Sequence, residues 1–125
     1  MSALRELIDA ASAAICTYKR PDVDEARQAL NDVMVAAGLP GIMHDSLDSI
    51  DEEGGMLHIS TSWSSRGCAC GETYRLPSFI IDAEDPIATA KAWGKEQAIN
   101  KAQGMVDKAK ADLAWAEKKL AEAKA

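Results

Sequence analysis

The apolar positions of the chain change their period twice, and each change marks a different kind of structure. Over residues 2–18, Leu4, Leu7, Ile8, Ala11, Ile15 and Tyr18 recur at three- and four-residue spacing, the stripe of an amphipathic helix. Ser2 is the expected N-cap. Lys19-Arg20-Pro21 is the expected stop, because proline disfavours helical geometry in the residue before it. A second helix follows at once. Asp22 and Glu25 form an acidic version of the capping box, and Val23, Ala26, Leu30, Val33, Met34 and Ala37 make the buried face. Gly38 supplies a left-handed stop, and Pro40 prevents resumption. The short link between the two favours an antiparallel helical hairpin.

From about residue 42 the period falls to two. Leu57, Ile59, Thr61 and Trp63 share one face, with His58, Ser60 and Ser62 on the other, the alternation of a half-buried strand. Asp51-Glu52-Glu53-Gly54-Gly55 reads as a turn, preceded by a weaker strand carrying Leu47 and Ile50. Arg66-Gly67-Cys68-Ala69-Cys70-Gly71 suits a reversal. Residues 73–81 then predict a third strand, in which Pro77 removes a ladder donor and so points to an edge or a bulge. The simplest arrangement is a three-stranded antiparallel meander with helices on one face.

Helical patterning returns at Asp85-Pro86, aspartate as cap and proline at the first helical position, and runs to Ala125 past Gly94 and Gly104. Roughly 40 residues make a rod on the order of 60 Å, more than the two shorter helices can cover. The predicted fold class is therefore α+β, ordered ααβββα. A compact domain over 1–98 includes the start of the long helix, and 99–125 form a protruding helix.

That helix carries an unbroken heptad. Ile99, Val106, Leu113 and Leu120 fall at a, and Ala102, Ala109, Ala116 and Ala123 at d, a seam that lets two helices approach toward the 8 Å end of the usual range. Close alanine packing often goes with antiparallel pairs. The flanks hold Gln103, Lys110, Glu117 and Lys124 at e, with Asp112 and Lys119 at g, signs mixed enough to permit either direction. The candidate partners, in order of preference, are a second copy, the chain's own helices and a foreign protein. Trp115 lies at c, outside the seam, and tryptophan commonly anchors interfaces.

Charge sharpens this division. The chain carries −6 overall, with −8 on residues 1–84 and +2 on residues 85–125. An acidic body repels phosphates, which argues against direct nucleic-acid binding and suits a partner with a basic surface. Asp48, Asp51, Glu52 and Glu53 are the candidate contacts on that acidic side. No run reaches the length of a membrane span. Met1-Ser2-Ala3-Leu4-Arg5-Glu6 enters helical periodicity without a signal peptide's basic start. The expectation is a soluble, cytoplasmic protein.

The chemical candidates are sparse. Cys16, Cys68 and Cys70 make no disulfide framework. Cys68-Ala69-Cys70 invites a zinc reading, with His58 as a further ligand if the hairpin brings it close, or with two such pairs meeting across a dimer. The one-residue spacing and missing second pair depart from structural zinc sites. His58 and Ser60 share a strand face, but a directed base–nucleophile pair needs a third orienting group. Gly54-Gly55 has no phosphate-loop lysine after it. The expected cofactor complement is none, with zinc as the alternative, and the expectation is a non-enzyme.

Thr61-Ser62-Trp63-Ser64-Ser65-Arg66-Gly67-Cys68, Tyr74-Arg75-Leu76-Pro77 and Ile81-Asp82-Ala83-Glu84-Asp85-Pro86-Ile87 resemble small accessory proteins from the early regions of tailed bacteriophages and prophages. The likeness covers roughly residues 57–90. It implies an inhibitor of a host protein, such as a component of restriction, CRISPR or nucleotide-signalling defence, acting in the host cytoplasm. A second reading is a sponge that sequesters a signalling nucleotide at a dimer-interface pocket, with Arg66 and Arg75 on its phosphates. A third is a small zinc-assisted regulatory or structural protein.

Overall fold

The computed structural model describes residues 2–17 and 20–125, with the side chains of 16, 17 and 20–22 outside that description. Its elements are α1 (Ala3–Thr17), α2 (Arg20–Ala36), β1 (Ser46–Glu53), β2 (Met56–Ser65), β3 (Cys68–Pro77), α3 (Ser78–Asp82) and α4 (Pro86–Lys124). The sheet is three-stranded and antiparallel in the order β1-β2-β3. The class is α+β, as the sequence predicts, with one short helix added.

Local chemistry sets the helix ends. Ser2 caps α1 by accepting a hydrogen bond from the Arg5 amide at 3.0 Å. Gly38 takes φ +82 after α2, and Leu39 N–H reaches back to the Met34 carbonyl at 2.9 Å, the bond of a Schellman stop. Asp85 caps α4, accepting from the Ala88 amide at 3.2 Å. The α2 start differs from expectation. That helix begins at Arg20, so Asp22 sits inside its first turn rather than before it. The Tyr18 position and the Asp22 side chain lie outside the described residues. All six residues expected on the α2 face, Val23, Ala26, Leu30, Val33, Met34 and Ala37, are buried.

Both hairpins turn on paired residues with positive φ, Gly54-Gly55 and Arg66-Gly67, which matches the twist of tight antiparallel connections. The second hairpin corrects the predicted third strand. The reversal is Arg66-Gly67 alone, and Cys68, Ala69, Cys70 and Gly71 already pair with β2. Pro77 closes the edge strand β3, and Phe79, Ile80 and Ile81 turn into α3 instead of extending it. Ile80 and Ile81 are both fully buried there. A β-bulge explains the weak pattern of β1. Leu47 pairs with Thr61 and Ile50 with Ile59, so the register slips at Asp48. Residues three apart thereby face the same side.

Leu47, Ile50, Leu57, Ile59 and Leu76 meet Ile8, Ala11 and the α2 face in one core, which Ile80, Ile81 and Ala90 complete. Ile87 and Trp93 pack partly buried against it. Two compact units are distinguished, Met1–Gly94 and Lys95–Ala125. Gly94 sits where the first turns of α4 pass the end of α2. A Cβ there would lie 2.4 Å from the Ala37 carbonyl oxygen, whereas a Cβ on Gly104 would meet nothing. Glycine at 94 is thus required by packing rather than merely tolerated. Gly94→Ala should destabilise the fold by about 2 kcal/mol through overpacking. Gly104→Ala should stabilise its helix by about 0.5–1 kcal/mol. Urea unfolding of the two variants, with α4 followed by circular dichroism, checks the opposite signs.

Candidate functional site

Among the described residues, six of the nine exposed large hydrophobic side chains lie on α4. Every residue from Lys95 to Ala125 is exposed. The seam's large members are Ile99, Val106, Leu113 and Leu120, at 57%, 46%, 60% and 56% exposure. Isolated apolar residues on a surface are ordinary, but a heptad-spaced column is the mark of an interaction face. Trp115, itself 63% exposed, carries Lys119 Nζ over its ring at 5.8 Å, and Lys119 also reaches Glu122 at 3.3 Å. The ammonium is therefore held beside the seam by its own helix.

The sheet presents a second surface. Strand alternation and the register put Asp51, His58 and Arg75 in one row of the face away from the core, beside a row of Ser49, Ser60 and Thr73. Ser60 Oγ and Thr73 Oγ1 share a 3.0 Å hydrogen bond, so the serine's hydroxyl is engaged with threonine rather than His58. Cys68 and Cys70 project from the opposite face, opposite Ser65 and Trp63. His58 thus cannot join them in one chain. Among the described residues, no three His, Cys, Asp or Glu side chains gather as a metal site.

The nucleotide reading also meets a geometric obstacle. Arg66 occupies the β2–β3 turn with φ +52, while Arg75 pairs with His58 toward the other end of β3. From Cys68 to Arg75 the strand runs roughly 24 Å. The two guanidinium groups of one chain therefore do not form one phosphate clamp.

The acidic candidates separate likewise. Asp48 is exposed at the bulge, Asp51 is on the polar face and Glu53 borders the turn. Glu52, though exposed, is already paired within the chain. Arg5 reaches its Oε2 at 2.7 Å, and Ser78 Oγ donates to the same oxygen at 2.7 Å. The same guanidinium grips Asp82 through two bonds, 2.7 Å from Nε and 3.0 Å from Nη2, with Asp9 at 3.5 Å. Ser2 Oγ donates to the Ile81 carbonyl beside it. Arg5 and Ser78 carry no sequence signal for this role, because their partners lie 47 and 26 residues from them at Glu52.

Sequence reasoning also missed a shallow cavity of about 420 Å³ lined by Gly41, His44, Asp45, Trp63, Ser64 and Tyr74. Trp63 is only partly buried and lines this hollow, rather than sitting in the core. Arg27 on α2 steadies its rim by donating to the Asp45 carbonyl at 3.3 Å. Burial, then the carboxylates of Glu72 and Asp45, push the Tyr74 phenol upward, which keeps it protonated and a donor. Alternation of β2 and β3 placed these rings on one face, but the loop residues His44 and Asp45 come near only through the fold.

No protein-family model, curated protein or solved structure matches the chain. No helix among the described residues is long and apolar enough to cross a membrane.

The ionic cluster should make the first unit acid-sensitive. Hydrogen bonds from Arg5, chiefly, hold the Glu52 and Asp82 carboxyls below their ordinary values of 4.5 and 3.8. Their stabilisation is complete above those ordinary values and is lost as pH falls through the depressed folded ones. Both carboxylates are more than a third exposed, so screening limits the gain. Arg5→Gln should cost on the order of 1 kcal/mol at neutral pH and flatten the acid limb of the stability curve. Urea midpoints from pH 7 down to pH 3 measure it; parallel curves would contradict the assignment.

Proposed function

We propose that this chain is a non-enzymatic binding protein that self-associates through α4 and docks its acidic part on a basic protein surface. The observation that carries this reading is the exposed heptad column on α4, four large aliphatic side chains each 46–60% exposed with alanine between them. A column of that length is stable in water when another helix covers it. The −8 charge over residues 1–84 favours a basic partner. Asp48, Asp51 and Glu53 are the acids on offer, since Glu52 is occupied by Arg5.

Joined with the resemblance of residues 57–90 to phage accessory proteins, the partner is a host protein and the action is inhibition. The sponge and zinc readings are less well supported. The first needs Arg66 and Arg75 from different copies, and the second needs Cys68 and Cys70 to meet a second pair across a dimer.

Sedimentation velocity at micromolar concentration tests the core of the reading. The wild-type chain should run as a dimer. Leu113→Asp, which places a carboxylate in the seam, should weaken association more than about a hundredfold while leaving helix content intact. A wild-type monomer, unchanged by Leu113→Asp, would end the proposal. Capture from a host lysate should then retain one stoichiometric protein at low salt and release it as salt screens the acidic face.

A further inference from the structure

We infer that α4 pairs antiparallel with α4 of a second copy, in the register where Leu113 faces the partner's Ala116, Ala109 its Leu120 and Val106 its Ala123. The inference rests on the self-association proposed above and specifies its geometry.

Volume gives the direction. In a parallel pair, a meets a and d meets d, so Leu113 would oppose Leu113 and Ala116 would oppose Ala116. Thick and thin layers would alternate, and a spacing set by leucine would leave the alanine layers unfilled. In an antiparallel pair each a residue faces a d residue. Every layer then holds one large aliphatic and one alanine, and the helices approach evenly along the seam.

Taken pair by pair, the mixed flank charges do favour one direction after all, and they also give the register. A parallel pair brings each g residue against the partner's e residue five positions on. Asp112 would meet Glu117 and Lys119 would meet Lys124, like charges at both places and doubled by symmetry. In antiparallel pairs, e meets e and g meets g. With Leu113 opposite Ala109, Asp112 meets its own copy and so does Lys110. With Leu113 opposite Ala102, Glu96 meets Glu117. With Leu113 opposite Ala123, Glu117 and Lys119 each meet their own copies.

Of these registers, only Leu113 opposite Ala116 brings no like charges together; Lys124 faces neutral Gln103, and Ile99 and Ala102 lie beyond the overlap. Lys110 then faces Glu117 and Asp112 faces Lys119, each twice by the two-fold axis. The helix already holds Lys119 on this flank, against Trp115 and Glu122. Trp115, about one turn from both Asp112 and Lys119, lies at the middle of the pair. Its exposure on the single chain becomes the rim of an interface.

Charge exchange at one pair tests direction and register together. Glu117 is a clean probe, because Leu113, Ala114, Leu120 and Ala121 occupy the positions three and four away on its own helix. Sedimentation equilibrium should show Glu117→Lys and Lys110→Glu each weakening the dimer about tenfold. The double variant should return close to wild type. A parallel pair gives the opposite sign, since Glu117→Lys would then face Asp112 and tighten the dimer. That result overturns the inference. Dimers unaffected by all three variants overturn the register while leaving self-association standing. A wild-type chain that sediments as a monomer overturns both.

Discussion

The guanidinium of Arg5 connects parts of the chain that sequence keeps far apart. It projects from the first turn of α1, forks onto Asp82 at the end of α3 and reaches Glu52 near the end of β1. Only 14% of its side chain is exposed, so its charge is largely removed from water and must be matched. The two carboxylates do that, and Ser78 shares the load on Glu52. A five-residue helix such as α3 cannot persist on its own hydrogen bonds. Fastened by Arg5 and Ser2 on one side and by buried Ile80 and Ile81 on the other, it turns the chain out of the sheet. It delivers the chain to Asp85, where α4 is capped and begins. The start of α4 therefore depends on an ionic contact made from the first turn of α1.

Gly94 imposes the next constraint. The backbone of α4 passes so near Ala37 that no side chain fits between them, and close passage of this kind buries Ala90 while Trp93 covers the neighbouring surface. After Gly94 the character of the helix changes without any break in its hydrogen bonding. Its residues become exposed, and its four large aliphatic side chains recur at heptad spacing. A single helix thus serves packing first, and on the proposal above association afterwards.

Much of this was legible because periodicity responds to burial. The α2 face and the β2 alternation as far as Thr61 were readable residue by residue, since each faces one large apolar surface over that length. The caps at Ser2 and Asp85 were readable because capping is local chemistry. The third strand was less so. Phe79, Ile80 and Ile81 look like a continued strand, and only the tertiary contacts of α3 turn them into a helix. The bulge at Asp48 hid β1 in the same way, since a three-residue spacing fits neither period. Arg5, Glu52 and the hollow beside Tyr74 join residues from different elements, and no local pattern encodes such meetings. The seam on α4 was visible throughout, because heptads survive in sequence whether or not the partner is present.

The proposal that α4 is the self-association surface is also supported by where the charge sits. Residues 1–84 carry −8, and two such surfaces brought together repel strongly enough to oppose a dimer built on them. The helix carries +2 over residues 85–125, a small excess that opposite pairs along a flank can absorb. A head-to-tail contact between basic helix and acidic domain would satisfy charge, but it would leave each copy with an unused surface and permit open-ended growth. A two-fold pair of helices closes. In the proposed register it would cover Val106, Leu113 and Leu120 on both copies at once and leave the acidic surfaces to other partners. Under that proposal, self-association and recognition would use different parts of the chain, which would allow the acidic face to change its target without disturbing the pair.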